Sequence, residues 1–253
     1  MRTMNSYWNR LFDVICEKNL FLTILGKVGK RYIFLIRTSL EVNERPNLLI
    51  AAGFHGEEKA GPLGILAWLE SCDSKIFKEV NLFFLPVVNP IGFNRGIRYN
   101  TWGEKSNQGF CHKIDEPSRE GRVLLKNIKL LTGSAKDGFL SLHEDILEKN
   151  FYVYSYEDVE EPSRMAYELR NLEAKFFKQI DDGVKVNEVC DPDAYAKDGI
   201  IHKLCDGSFE DCLMHKGIRS MVTETPGKCR ISRRIEATKA IIDKFIEVSL
   251  ELR

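Results

Sequence analysis

The run Leu48-Leu49-Ile50-Ala51-Ala52-Gly53-Phe54 breaks off at His55-Gly56-Glu57-Glu58, and no other stretch constrains the fold as much. The apolar residues read as a buried strand ending at Phe54. Gly53 and Gly56 suit the tight turn that follows, and Ala60-Gly61-Pro62-Leu63-Gly64-Ile65-Leu66-Ala67-Trp68-Leu69 reads as a helix. A buried strand leading directly into a helix belongs in an open α/β sheet, which collects its chemistry at the C-terminal strand ends. His55 and Glu58 stand at such a mouth, where polar groups are costly to leave without a role. An imidazole and a carboxylate in H-x-x-E spacing reach one zinc from a single turn, and a catalytic zinc takes three protein ligands with a fourth position open to water. Short patterns of common residues also arise as solvated surface turns. The spacing gains weight only if the chain supplies a third ligand and a base.

Two further strand ends qualify. His143 closes Gly138-Phe139-Leu140-Ser141-Leu142 and is followed by Glu144-Asp145, while Glu224 closes the strand at 218–223. Each residue alone reads equally well as a polar strand end facing solvent. Three strand ends delivering His, His and Glu beside an H-x-x-E turn converge if the strands neighbour one another in a parallel sheet.

The remaining elements follow from periodicity and punctuation. Residues 5–18 read as an amphipathic helix, 21–25 and 32–36 as strands parted by Gly26 and Gly29, and 60–72 as the helix after the first buried strand. A strand at 82–88 stops at Asn89-Pro90, since proline lacks a donor and restricts its predecessor. The polar stretch 91–119, carrying Arg95, Arg98, Asn100, Trp102, Asn107 and Gln108, is too long for a plain connection and reads as a functional loop. A helix at 119–132, strands at 138–143 and 151–156, and a helix from Pro162 to about 177 come next. Residues 181–217 are loop-rich, and Ser232 is placed to cap a last helix. The expectation is one α/β domain over residues 1–253: a mixed, mostly parallel twisted sheet with helices on both faces.

Lys+Arg and Asp+Glu number 37 each, so no overall field directs the chain to nucleic acid or to a membrane surface. No apolar run approaches the roughly 18 residues of a membrane span, and the N-terminus lacks a signal-peptide core. Seven scattered cysteines suit reduced thiols in a cytoplasmic protein. Among them, His202-x-x-Cys205 with Cys212-x-x-His215 reads either as a structural zinc site or as cysteines acting as small buried hydrophobes.

Taken in chain order, these residues resemble the zinc carboxypeptidase family of funnelin-type metallopeptidases, which is related to the succinylglutamate desuccinylase/aspartoacylase branch. His55-Gly56-Glu57-Glu58 matches its metal pair, Ser141-Leu142-His143 its distal histidine, and Thr223-Glu224-Thr225-Pro226-Gly227 its general base. Asn89-Pro90-Ile91-Gly92-Phe93 is similar to its N-P-x-G segment, and Arg98 to its electrophile-stabilising arginine. The resemblance implies one zinc per chain held by His55, Glu58 and His143, with Glu224 as base, Arg98 stabilising the oxyanion and Asn107 positioning the substrate. It implies cleavage of a C-terminal residue from a peptide; the alternatives are deacylation of an N-acyl amino acid, or a catalytically silent binding protein.

By the same resemblance, Gly207-Ser208-Phe209 precedes the last strand as the specificity segment does, so Phe209 is expected to line an apolar pocket, and His202 stands where a substrate-binding tyrosine is found. One departure is clear. Asn107-Gln108-Gly109-Phe110 replaces the family's Asn-Arg-Asn-Phe, and the missing arginine normally holds the substrate carboxylate. A hydrogen bond to a charged group is worth roughly 1.5–3 kcal/mol, so another cation is expected there, with Arg95, Arg119 and Arg230 the candidates, or the substrate ends differently.

Overall fold

A computed structural model describes the backbone of residues 2–5 and all atoms of residues 6–38, 44–111, 116–186, 195–202 and 205–252. Strands β1 (Phe21–Val28), β2 (Arg31–Arg37), β3 (Asn47–Ala52), β4 (Asn81–Leu85), β5 (Gly138–Asp145), β6 (Tyr152–Tyr156), β7 (Ile200–His202) and β8 (Ser220–Pro226) form one sheet in the order β1-β2-β4-β3-β5-β8-β6-β7. The four central strands β4-β3-β5-β8 run parallel, and β1, β2 and β6 add antiparallel pairings. This is the mixed, mostly parallel sheet that the apolar runs predict.

Burial on both faces explains those runs, because a parallel strand covered by helices has no wet side to mark with polar residues. Leu48, Ile50, Ala52, Leu82, Phe84, Leu140 and Leu142 point into one core. Helices α1 (Arg2–Glu17), α2 (Ala60–Ser71), α6 (Arg164–Glu173) and α8 (Ile231–Glu251) cover it. Leu49, Ala51, Phe83, Leu85 and Phe139, the alternate positions, enter the opposite core beneath α4 (Arg119–Lys126), α5 (Ile128–Ser134) and α7 (Phe209–Met214). Among the described residues, no helix is long and apolar enough to cross a membrane.

Several boundaries differ from the sequence expectation. The strand expected at 82–88 ends at Leu85, and Pro90 opens a short helix, α3 (Pro90–Arg95), within the stretch read as irregular. Proline at the first helical position costs no hydrogen bond, and the Asn89 side chain caps the helix by accepting from Gly92 N at 2.8 Å. The helix expected at 119–132 breaks at Asn127, whose amide bonds Leu25 O and Val123 O instead. Ser232 lies inside α8 and does not cap it; Arg230 holds the N-cap position without a side-chain bond. Residues 181–217 contain β7 and α7, though 187–194 and 203–204 of that expected loop lie outside the described residues.

Glu144 ties the sheet to both neighbouring helices. Its carboxylate accepts from Ala60 N at the start of α2 at 2.7 Å and pairs with Arg234 of α8. Glu173 of α6 is a different case, being fully buried with neither carboxylate oxygen hydrogen-bonded. Burial, reinforced by the charge of Glu224, pushes its pKa well above the usual carboxylate range. A folded pKa above the unfolded one gives stability that is complete below about pH 4.3 and is lost as pH rises through the folded value. The Glu173→Gln variant, which cannot ionise, is therefore expected to keep the stability that the wild type loses as pH rises from 5 to 8, at about 1.4 kcal/mol per unit of pKa rise. Denaturant unfolding at the two pH values checks this; parallel losses in both proteins contradict it.

Candidate metal centre

The turn after β3 is built by close approach. Gly53 takes a φ of +66°, and a Cβ on Gly56 would fall 1.9 Å from the Gly92 carbonyl carbon. Gly56 N donates to Arg98 O at 3.2 Å, and the Asn89 side chain donates to the same oxygen at 3.2 Å. The glycine turn and the Asn-Pro-x-Gly segment thus jointly seat Arg98. Its guanidinium Nη1 reaches Glu58 Oε1 at 3.5 Å and Glu57 Oε1 at 3.6 Å.

Both histidines turn Nδ1 toward Glu58. His55 Nδ1 lies 2.6 Å from Oε1 and His143 Nδ1 3.0 Å from Oε2. The two rings meet edge to face at 5.2 Å, and Phe54 stacks on His143 at 5.6 Å and 10°. One donor atom from each of His55, Glu58 and His143 lies within 4.8 Å of the other two. Glu58 Oε2 and both His143 nitrogens are buried and make no hydrogen bond. A cation held there would satisfy Glu58 Oε2 and His143 Nδ1, leaving Nε2 to face Glu210, and two imidazoles with one carboxylate are the donor set of a catalytic zinc. The residues fit the ion the H-x-x-E spacing implies.

Burial by itself would raise the Glu58 pKa, but His55 and His143 beside it overcome that and hold it at about 2. Glu224 pairs in register with His143 across β5 and β8 and faces the same cavity. Burial pushes its pKa well above the usual range; His143 and Arg98 pull it down, while Glu58 and Asp145 add to the rise.

The cavity of about 390 Å³ is lined by His55, Glu58, Arg98, Asn107, Gln108, His143 and Glu224. Tyr152, Tyr154 and Tyr156, alternate residues on β6, form an aromatic wall with Val222 and Ile180. The structure places two expected substrate residues elsewhere. Phe209 is fully buried, packed on Phe54, Phe110 and Phe139 with ring centroids 5.1–6.1 Å away, so it supports the wall from behind and does not line it. His202 lies on β7 with Nδ1 3.2 Å from Ser155 O and Nε2 3.0 Å from Val159 O, off the cavity wall. Arg95, Arg119 and Arg230 do not line it either; Arg119 is bound to Glu104 over the Trp102 ring. Among the described residues the wall's Lys and Arg side chains are Arg98, Lys105 and Lys185, and Gln108 Oε1 is buried without a hydrogen bond.

The sequence reading missed Glu210. This buried α7 carboxylate accepts from Asn107 Nδ2 at 2.8 Å and stands 3.7 Å from His143 Nε2. Asn107 Oδ1 in turn accepts from Phe209 N at 3.1 Å. Burial raises the Glu210 pKa, but His143 and Ser141 outweigh it and leave the group below its ordinary value. A carboxylate behind a ligand histidine orients the ring and raises its basicity. The sequence cue was its place two residues after Ser208, in the segment read only for Phe209.

The profile of the succinylglutamate desuccinylase/aspartoacylase catalytic domain matches residues 44–183, more than half of the chain. The chain belongs to that family. A candidate metallopeptidase from Shewanella baltica is 36% identical, with 97% of this chain and 92% of that one covered and a TM-score of 0.90. One from Shewanella denitrificans gives 35% identity, 97% and 90% coverage, and a TM-score of 0.89. A metallo-carboxypeptidase from Burkholderia cenocepacia, 16% identical, shares the fold with a TM-score of 0.72 over 96% of this chain and 68% of that one. No curated protein matches the chain.

Glu210→Gln is expected to weaken zinc binding at the centre about 10- to 100-fold while the fold stays intact, and His143→Ala to abolish it. Chelator competition on the two variants, with circular dichroism as the fold check, measures both. Wild-type affinity in Glu210→Gln contradicts the orienting role.

Proposed function

We propose that this protein is a zinc-dependent metallopeptidase of carboxypeptidase type, hydrolysing a peptide amide next to a C-terminus. The observation that carries the reading is the convergence of His55, Glu58 and His143 on one point, with Glu224 in register beside it on the wall of an open cavity. Bound zinc supplies Lewis acidity, polarising the scissile carbonyl and acidifying a water. Glu224 takes a proton from the water that attacks the carbonyl carbon. It then delivers that proton to the amide nitrogen as the C–N bond breaks, so a carboxylic acid and an amine leave. Arg98 stands 3.5 Å from Glu58 and offers its guanidinium to the oxyanion that develops on the carbonyl oxygen. Asn107, fixed by Glu210, orients the substrate.

Membership of the desuccinylase/aspartoacylase family favours a second reading, hydrolysis of an N-acyl amino acid by the same proton route. Gln108 bears on the choice. An uncharged side chain there leaves Lys105 and Lys185 as the cations nearest to hand for a substrate carboxylate. Cys16, Cys72, Cys111, Cys212 and Cys229 are free thiols, in keeping with the cytoplasmic setting proposed here.

Glu224→Gln is expected to retain zinc and fold while turnover falls by about 10²–10⁴. Loss of metal together with activity would make Glu224 a ligand, and unchanged turnover would refute the mechanism. Gln108→Arg should raise kcat/KM for free-acid peptides about ten- to a hundredfold, the worth of one charge-assisted bond. Matched free-acid and amide-capped peptides, with N-acyl amino acids in parallel, separate the two readings. A wild-type preference for capped ends excludes the carboxypeptidase reading.

A further inference from the structure

A second cluster of metal-binding side chains lies behind the cavity wall. Cys111 follows Asn107 and Gln108 on the same loop, whereas Asp211 belongs to α7 and His215 stands at its C-terminal cap. Cys111 Sγ, an Asp211 carboxylate oxygen and a His215 ring nitrogen all lie within 4.8 Å of one another. The Cys111 thiol also donates to Ser208 O, just before α7, at 4.0 Å. The zinc pairing read from the sequence, His202 and Cys205 with Cys212 and His215, does not assemble, since His202 is bound to Ser155 and Val159 on β7. A residue distant in sequence takes its place.

The cluster is held in position. Asp211 is fully buried, and its Oδ2 accepts from Asp206 N at 3.0 Å and Gly207 N at 2.9 Å, which fixes the carboxylate and leaves Oδ1 3.0 Å from His215 Nδ1. His215 is half exposed, so an ion reaches the site from solvent without opening the core. Ligand atoms around a tetrahedral zinc stand about 3.3–3.7 Å apart, given bonds of about 2.0–2.3 Å. Atoms already within 4.8 Å need only side-chain adjustment to reach that spacing.

We propose that Cys111, Asp211 and His215, with a water in the fourth position, form a second site for a thiophilic divalent cation of the zinc type. Binding releases the Cys111 thiol proton to solvent, and His215 coordinates as neutral imidazole. The ion clasps the loop at Cys111 to α7, the two segments that also meet through Asn107–Glu210 at 2.8 Å, with Phe110 N–Gly207 O at 3.0 Å just before the helix. Its consequence is a rigid substrate wall, reached by donors that include sulfur. The His55–Glu58–His143 centre has none.

That difference gives a test independent of the catalytic reading. The reduced full-length chain is titrated with Co²⁺ alone and followed through the near-ultraviolet thiolate-to-cobalt band. Wild type and the His55→Ala/His143→Ala variant are both expected to show the band, whereas Cys111→Ser is expected to lose it. His215→Gln, at an exposed position, should need at least about tenfold more Co²⁺ to develop it. Zinc analysis should give two ions per chain in wild type and one in Cys111→Ser. No band in reduced wild type, or an undiminished band in Cys111→Ser, overturns the proposal. So does a Cys111–Cys212 disulfide recovered from a protein that takes up no cobalt after reduction.

Discussion

A carboxylate removed from water must be neutralised or paired, and the pairing of Glu58 governs the arrangement around it. Glu58 is 2% exposed, and His55, His143 and Arg98 surround it. None of these partners is local luck. His55 comes from the same turn, His143 arrives because β5 lies parallel to β3, and Arg98 because Gly56 and Asn89 hold its carbonyl. A slip of one residue between β3 and β5 would exchange the faces of an entire strand and carry His143 away from the site. The buried faces of the central sheet therefore protect the site's geometry as well as the fold.

The rest of the site is assembled from the other end of the chain. β8 contributes Glu224 by register with His143, and α7 contributes Glu210 behind the same imidazole. The 107–111 loop is held by α7 through Asn107, Phe110 and Cys111, so one short helix supports both His143 and the cavity wall. Phe209, within that helix, packs the aromatic layer under Phe54, which in turn stacks on His143. Energetically this is core packing spent on orientation. The Phe54 contact fixes the ring angle of His143.

Much of this was legible in the sequence, for identifiable reasons. Parallel strands buried on both faces appear as unbroken apolar runs, so β3, β4, β5 and β8 declared themselves, and the polar residue ending a run marked the sheet's chemical edge. The family profile and the fold shared with metallo-carboxypeptidases agree with that reading. What the sequence hid was contact between distant segments of weak periodicity. β7 has three residues and α7 six, too few for any period to show. Glu210 and the Cys111 cluster gain their meaning from the docking of α7 onto the 107–111 loop, and Phe209 and His202 were misplaced for the same reason. The break at Asn127 escaped detection because it depends on Leu25 O of β1, about a hundred residues away in sequence.

The most direct test of the account is the position of a metal in a zinc-soaked crystal of the full-length chain, recorded across the zinc absorption edge. The account predicts an anomalous peak about 2.0–2.2 Å from His55 Nδ1, from His143 Nδ1 and from a Glu58 carboxylate oxygen, with Glu224 near it but not coordinating. A peak coordinated by Glu224 in place of Glu58, or no peak between the two imidazoles, would contradict it.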